Sequence, residues 1–423
     1  MVGFLSMPTL KSIVQKNIDR GAAFFRTDLR YILRGGFWLT LAKIVTGASS
    51  FISSIVFANI VPKEVYGLYR FVLSYLSVLT LPTLAGIDTS LTKAVGRGYH
   101  GSIVPAFFAK VRFGLLAGCA SLGFAGYYFF QGDHALALCF FISAFFLPIL
   151  DPLQLYMAYW NGKRDYIRYA KYHTILKGVV TVLLVGTMLL TQNLILIVLS
   201  YLVSYTLLRL VFFLITVKQI QPTEGFDPAI ISYGKSLTLM SVLGTVAEAL
   251  DKILIFHFLG AAELATYFLA LVPTKQIWSF LGTFNMLALP KFSGGKIREL
   301  RSSLPIKALK SYLVVIPVVL AYIIIAPILF KVFYPQYVNA ILPSQLSILV
   351  VLFFPATFLT TALTSQAQTN KLYISSTAFS SIRIALLLII VPHFGMYGAI
   401  AASLGTNVLN LVITSYLFMK MKE

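Results

Sequence analysis

The chain has 423 residues, of which 58% are hydrophobic and only 11% are charged, and it carries a formal net charge of +20. Soluble domains contain roughly 25% charged residues, so with a mean hydropathy of +0.84 the composition excludes an ordinary soluble enzyme or binding module. It predicts an all-α, polytopic membrane protein, because about 20 apolar residues are needed for a helix to cross a hydrocarbon core about 30 Å thick.

The predicted elements begin with a basic, amphipathic segment over residues 1–35. Its six basic residues are Lys11, Lys16, Arg20, Arg26, Arg30 and Arg34. The segment lacks the apolar core and the small-residue cleavage site of a secretory signal. We therefore expect it to lie on the cytoplasmic surface of the membrane, where anionic lipid headgroups attract basic residues.

Twelve apolar segments follow, and each is long enough to be predicted as a membrane-spanning helix. They cover residues 36–60, 66–90, 105–129, 134–160, 168–191, 193–217, 234–259, 262–290, 306–330, 340–367, 371–391 and 396–418. Several contain proline, which kinks a helix because it removes a backbone donor. The longest inner connections are predicted near residues 218–233 and 291–305.

The connections between these segments differ strongly in charge on the two sides of the predicted membrane. With a cytoplasmic N-terminus, the inner segments hold 25 basic residues, Lys110 among them, whereas the outer loops hold only Lys63 and Lys331. This asymmetry predicts cytoplasmic N- and C-termini under the positive-inside rule. It also explains most of the net charge, so no nucleic-acid partner is expected.

The chain divides into two predicted six-helix bundles. The first bundle covers residues 36–217, a cytoplasmic linker covers 218–233, the second bundle covers 234–418, and a cytoplasmic tail covers 419–423. Weak internal similarity supports this division, since residues 57–74 align with residues 256–273 at the same position of each half. Repeated halves with a binding site between them are a common plan among transporters.

Several stretches of the chain resemble one protein family. They are VPKEVYGLYRFVLS (61–74), LPTLAGIDTSLTKAVGRG (81–98), ALDKILIFHFLGAAELATYFLA (249–270) and VPHFGMYGAIAAS (391–403). They resemble the polysaccharide flippases, the Wzx-type branch of the multidrug/oligosaccharidyl-lipid/polysaccharide exporter superfamily. The resemblance implies a V-shaped transporter of twelve helices in two bundles, related by a pseudo-two-fold axis, in a bacterial or archaeal plasma (inner) membrane.

The same resemblance implies a function. Such proteins move polyprenyl-pyrophosphate-linked oligosaccharides from the inner to the outer leaflet by alternating access. The cargo is destined for cell-surface polysaccharide such as O-antigen or exopolysaccharide. Partners of this chain would then be the lipid-linked oligosaccharide, the polysaccharide polymerase and the glycosyltransferases, in addition to anionic membrane lipids.

Eleven charged residues fall inside the predicted helices. The cations are Lys43, Arg70, Lys177, Arg209, Lys252, Lys275 and Arg383, and the acids are Asp88, Asp151, Glu248 and Asp251. A charge at the bilayer centre costs about 2.5–3.5 kcal/mol on insertion scales, so we expect these residues to face a bundle interior or an aqueous cavity. The excess of cations predicts an anionic cargo, for which Lys and Arg are the natural hydrogen-bond partners.

Five of these cations are predicted to line a cationic substrate-binding cavity. They are Lys43, Arg70, Lys177, Lys275 and Arg383. Arg209 lies close enough to the inner end of its helix to snorkel to the surface. By helix alone, and with no local motif, three of the five also resemble the distribution of essential basic residues in lipid II flippases, on helices one, two and eight: Lys43, Arg70 and Lys275.

The seventh predicted helix carries Glu248, Asp251 and Lys252. Residues three or four apart share a helix face, so all three can turn away from lipid and form one wall of a polar cavity. One acid is expected to neutralise Lys252, and the other to carry a proton or cation or to pair with a base on another helix. We favour Glu248 for ion coupling and Asp251 for a structural role. Asp88 is expected to cap the inner loop or to gate the entrance, and Asp151 to satisfy backbone groups at a proline kink.

Two other functions stay open from the sequence. One is an ion-coupled exporter of small organic ions of the same superfamily, and the other is a membrane-embedded polysaccharide polymerase or ligase, although those enzymes resemble each other in a long outer loop that this chain lacks. GRGYHG (96–101) has no preceding strand and so does not predict dinucleotide binding. No catalytic residue, metal site or cofactor is predicted, and protons, sodium ions or cargo supply would drive the cycle.

Overall fold

The computed structural model describes residues 29–220, 225–293, 297–366 and 369–421. The first 28 residues of the predicted amphipathic segment therefore lie outside the described residues. The helices, named by membrane crossing, are α1 Leu29–Ile60, α2a Lys63–Leu79, α2b Gly86–Gly96, α3 Ile103–Phe130, α4a His134–Leu150, α4b Leu155–Gly162, α5 Tyr166–Leu190, α6 Leu194–Val217, α7 Ile230–Leu259, α8 Ala261–Ser293, α9 Ile297–Phe333, α10a Ile341–Ser347, α10b Ala356–Ser365, and a stretch Thr369–Met419 that contains α11 and α12.

The described residues confirm an all-helical fold with twelve crossings. Nine stretches among them are long and apolar enough to cross a membrane, and one of these, Lys371–Met419, contains two crossings. Gly395 separates α11 from α12, because its φ of 56° is a left-handed conformation that favours glycine. The set of twelve is completed by α7, which carries Glu248, Asp251 and Lys252, and by α8, which carries Lys275.

Two of the predicted connections contain helix. The first turn of α7 begins at Ile230, so the last four residues of the predicted linker 218–233 are helical. The helix α8 continues to Ser293 and α9 begins at Ile297, so most of the predicted connection 291–305 is helical as well. The polarity of this region ends the apolar stretch but not the helix, because Arg, Lys and Glu are good helix formers.

Three crossings are broken into two helical pieces near prolines or short 3₁₀ turns. Between α2a and α2b the chain passes through the 3₁₀ turn Leu81–Thr83 and then Leu84, which has a left-handed φ of 63°. Between α4a and α4b it passes through Pro152–Gln154, and between α10a and α10b through Ile348–Phe353. Each break frees backbone groups from the regular helical hydrogen bonds.

The crossings pack as two bundles of six. In the first bundle α1 packs against α5, α3 against α4, and α6 against both α4 and α5. In the second bundle α7 packs against the α11–α12 stretch, while α8 and α9 pack against α10. This arrangement confirms the two-bundle architecture expected from the sequence.

The two bundles contact each other at the end of the molecule that carries the turns at residues 61–62 and 260, termed the short-turn end. The backbones are so close there that a Cβ added to Gly67 would lie 1.8 Å from the carbonyl oxygen of Ala261. Beside this contact, the rings of Phe71 and Phe256 stack with their centroids 3.7 Å apart. The contact joins α2a of the first bundle to α7 and α8 of the second.

A second contact between the bundles lies at the opposite end, termed the basic end, which carries residues 97–102, 218–220 and 225–229. The backbone N–H of Gly86 donates to the hydroxyl of Thr238 at 2.9 Å, and the hydroxyl of Ser90 donates to the carbonyl of Ile230 at 2.8 Å. These bonds join α2b to α7. Each piece of α2 therefore makes one contact between the bundles, and these two contacts are termed the closures of the short-turn end and of the basic end.

Candidate functional site

A cavity of about 500 Å³, termed the central cavity, lies between α2a of the first bundle and the helices of the second bundle. Its charged lining residues are Arg70, Glu248, Asp251, Lys252, Lys275 and Arg383. Serine and threonine side chains add further hydrogen-bonding groups to the wall. Four cations face two acids, so the central cavity has a surplus of two positive charges.

Asp251, on α7, pairs with two of the cations that line the central cavity. Its side chain is only 2% exposed and accepts from the Lys252 ammonium at 2.7 Å, from an Arg383 Nη at 3.4 Å and from the Tyr267 hydroxyl at 2.9 Å. A buried carboxylate is tolerated when cations and hydrogen bonds compensate it in this way. Asp251 therefore neutralises part of the charge of Lys252 and Arg383 and joins α7, α8 and α11.

Arg70 faces the central cavity without a carboxylate partner among the described residues. One of its Nη atoms donates to the hydroxyl of Tyr66 at 3.2 Å, and its buried Nε has no hydrogen-bond partner there. Its guanidinium carbon lies 3.6 Å from the centroid of the Phe268 ring. A guanidinium has five N–H donors, so most of the donors of Arg70 are left for a ligand.

Two further charges of the central cavity have no ion pair among the residues that the structure describes. The ammonium of Lys275 lies 5.8 Å from the centroid of the Phe268 ring and lines the cavity. The carboxylate of Glu248 also lines the cavity, while the Glu248 carbonyl accepts from the Lys252 ammonium at 2.5 Å. The wall therefore offers two cations and one carboxylate to whatever occupies it.

The remaining two sequence-predicted cations lie outside the central cavity. Lys177 lies inside the first bundle, where its ammonium donates to the hydroxyl of Tyr205 at 2.9 Å. Lys43 lines a second, mostly apolar cavity of about 650 Å³ between α1, α8 and α9, together with Gln276. The structure thus brings Arg70, Lys275 and Arg383 to one site, not all five predicted cations.

The structure corrects the sequence interpretation of Lys110, which had been counted with an inner connection. Its side chain is fully buried within α3 and forms ion pairs with Asp88 at 2.7 Å and with Asp151 at 2.8 Å. Asp151 also accepts from the Thr83 hydroxyl at 2.6 Å. Both acids therefore act mainly as partners of Lys110, and not as the loop cap and the kink ligand that were expected.

A signal for this cluster was present in the sequence. Asp88 and Asp151 are two embedded acids in the first half, and a buried acid needs a cation close by. Among the basic residues of α3, Lys110 is the nearest to Asp88 along the chain, and the helix can turn its side chain inward. Among the described residues, no three His, Cys, Asp or Glu side chains converge as metal ligands.

The fold is similar to that of solved MATE and MOP superfamily structures. A MATE in complex with MaD5 superposes with a TM-score of 0.65 at 13% identity, covering 92% of this chain and 94% of that one. A MOP superfamily transporter from Pyrococcus furiosus, described by the reverse polarity of its binding pocket, gives a TM-score of 0.63 at 12% identity and covers 93% of this chain and 96% of its own. An outward-facing multidrug resistance MATE family transporter of the MOP superfamily gives 0.59 at 11% identity, covering 91% and 94%.

The sequence itself matches the family described as polysaccharide biosynthesis protein over residues 32–295. No curated protein matches the chain. The family match covers more than half of the sequence and includes Arg70, Lys275 and the acids of α7. The resemblance drawn from the sequence is therefore confirmed, and the chain belongs to the polysaccharide biosynthesis protein family, with the fold of the MOP superfamily transporters.

Proposed function

We propose that this protein is a flippase that moves a polyprenyl-pyrophosphate-linked oligosaccharide from the inner to the outer leaflet by alternating access. One observation carries the proposal: the central cavity between the bundles has a surplus of positive charge, and Arg70 and Lys275 face it without an acid partner among the described residues. The family match supplies the polysaccharide context.

The energetic argument is that unpaired cations are costly inside a membrane protein. Each costs about 2.5–3.5 kcal/mol at the bilayer centre on insertion scales, and the acids Asp88, Asp151 and Asp251 are already paired with other cations. An anionic ligand would offset this cost. A pyrophosphate group suits the pair, because Arg binds phosphate through two parallel hydrogen bonds and Lys through a point charge.

The proposal includes an orientation and a location. Under the positive-inside rule, the basic end faces the cytoplasm and the short-turn end faces outside, in a plasma membrane. Cargo then enters the central cavity from the basic end and leaves at the short-turn end. The enzymes that build and polymerise the oligosaccharide are the partners implied by this cycle.

The experiment is reconstitution in liposomes with a fluorescent lipid-pyrophosphate oligosaccharide, followed by quenching of the label in the outer leaflet. We expect leaflet transfer by the wild type and a loss of about 10- to 150-fold in Arg70→Gln and Lys275→Gln, because a hydrogen bond to a charged group contributes about 1.5–3 kcal/mol. Lys331→Gln is the matched control, since Lys331 is exposed near the end of α9.

The outcomes separate the alternatives. Absence of wild-type transfer under every imposed ion gradient refutes the flippase function. Uptake of small organic ions without transfer of the lipid supports an exporter instead. Full transfer by both Gln variants leaves the fold unchanged but removes the cationic site from the proposal.

A further inference from the structure

Arg70 lies where the two bundles meet, and aromatic rings from both bundles surround its guanidinium. The Phe268 ring of α8 lies 3.6 Å from the guanidinium carbon, while the rings of Tyr66 and Tyr69 of α2a lie at 5.1 Å and 5.4 Å. Tyr66 and Phe268 also contact each other edge to face, with centroids 6.1 Å apart. The stack of Arg70 on Phe268 is therefore a contact between the two bundles.

This stack is continuous with the closure of the short-turn end. Arg70 follows Gly67 by three residues and immediately precedes Phe71 on the same helix, and both of those residues contact the second bundle. On its other side Arg70 lines the central cavity. A change in the position of this guanidinium therefore alters both the lining of the central cavity and the contact between the bundles at the short-turn end.

The guanidinium can exchange its present contacts for stronger ones. A cation over an aromatic face is held by the ring quadrupole alone, and among the described residues Arg70 makes one hydrogen bond, to Tyr66. A phosphate group would accept two parallel, charge-assisted hydrogen bonds from it. The buried Nε of Arg70, which lacks a partner in the described residues, would gain one as well.

Lys275 indicates where such an anion would bind. It follows Phe268 by two turns of α8, and its ammonium lies 5.8 Å from the same ring. Phe268 therefore has one cation of each bundle beside it, and neither has a carboxylate partner among the described residues. An anion that binds both cations competes with the ring for Arg70.

Resting on the proposed function, we propose that the stack of Arg70 on Phe268 is a latch that the anionic headgroup of the cargo releases. With the cavity empty, the stack helps to hold the short-turn end shut. A pyrophosphate group bound by Arg70 and Lys275 draws the guanidinium away from Phe268 and frees α2a from α8. The empty protein then stays shut at this end, and the loaded protein opens there.

The test measures the distance across the short-turn end with spin labels at Glu64→Cys and Phe258→Cys, which are exposed positions on opposite bundles. The native Cys119 and Cys139 are replaced by Ser, and the probe is inorganic pyrophosphate, with acetate at equal ionic strength as the control anion. In the wild type we expect pyrophosphate, but not acetate, to shift the distribution to longer distances.

Variants of the stack separate the latch from general effects on folding. Phe268→Leu is expected to show the long distance without pyrophosphate, while Phe268→Tyr, which keeps the ring, behaves like the wild type. Arg70→Gln is expected to show the long distance and to weaken the response to pyrophosphate by about tenfold or more, the change expected from losing one charge-assisted hydrogen bond. Lys331→Gln is expected to leave both readouts unchanged.

Two results overturn the latch. One is a wild-type spin-label distance that does not change when pyrophosphate is added, and the other is a Phe268→Leu protein whose distance is as short as that of Phe268→Tyr. Leaflet transfer of the fluorescent lipid, measured on the same proteins, tests the flippase function separately. A distance change without lipid transfer keeps the latch and removes the flippase. Lipid transfer without a distance change keeps the flippase and removes the latch.

Discussion

Gly67→Ala and Gly86→Ala are expected to open the central cavity at opposite ends. A Cβ at Gly67 would lie 1.8 Å from the carbonyl oxygen of Ala261, and a Cβ at Gly86 would lie 2.4 Å from the carbonyl oxygen of Gly234. Both obstacles are backbone atoms of the other bundle, so no side-chain rotation removes them. Each substitution therefore disfavours the closure at its own end and leaves the other closure in place.

The size of the effect follows from these distances. A Cβ contact below 3.0 Å is essentially never observed, so the bundles must separate by about 1.2 Å at Gly67 and about 0.6 Å at Gly86. Overpacking of this kind costs about 1–3 kcal/mol. Such a cost shifts the equilibrium between closed and open by roughly 5- to 150-fold.

The assay uses one reporter, Ser74→Cys in the central cavity, in a protein whose Cys119 and Cys139 are replaced by Ser. In sided vesicles, an impermeant maleimide should label the Gly67→Ala protein faster from the short-turn side and the Gly86→Ala protein faster from the basic side. Gly178→Ala is the matched control, because an added Cβ there has no atom within 4 Å. Labelling of both variants from the same side, or at the control rate, would refute the reasoning.

Three further predictions concern the embedded acids and Lys110. Glu248→Gln should remove the ion-gradient dependence of lipid transfer and leave thermal unfolding unchanged, because its carboxylate has no ion pair among the described residues; unchanged gradient dependence would count against its role in coupling. Asp251→Asn should lower stability by about 3–5 kcal/mol, because it removes the buried carboxylate that compensates the partly buried Lys252 and Arg383, and a melting temperature equal to the wild type would contradict this. Lys110→Met should cause a similar loss in thermal unfolding because Asp88 and Asp151 would face each other unpaired, and adding Asp88→Asn should restore part of it; no recovery in the double variant would argue against charge as the cause.

Much of the fold could be predicted because the bilayer imposes a length on every apolar run. The predicted segments 134–160 and 193–217 differ from the observed crossings by at most two residues at either end. The prediction failed where helix continues past the apolar stretch, as in α9, which begins at Ile297 and not at 306. Hydropathy reports where the membrane ends, whereas hydrogen bonding decides where the helix ends.

The candidate site was less predictable from the sequence. The position of a charged residue along its helix indicates how deep it lies in the membrane, but not which residues surround it. Lys177 and Lys275 lie at similar depths in their helices, yet Lys177 lies against Tyr205 inside the first bundle and Lys275 lines the central cavity. Their separation depends on how the helices rotate and pack, which a single sequence does not specify. The shared position of Glu248, Asp251 and Lys252 on α7 could be predicted, since residues three and four apart share a face by helical geometry alone.

The break in the second crossing has a consequence for the permeability of the membrane. Gly67 and Gly86 are 19 residues apart, a distance of about 28 Å in a straight helix. A rigid helix of that length would tilt as a whole, so tightening its contact with the second bundle at one end would loosen the contact at the other end. Because the chain is interrupted at Leu81–Leu84, both pieces rest against the second bundle at once. One piece of α2 can therefore leave the second bundle while the other stays in contact with it, so a change of the accessible end does not require a cavity that is open to both solutions.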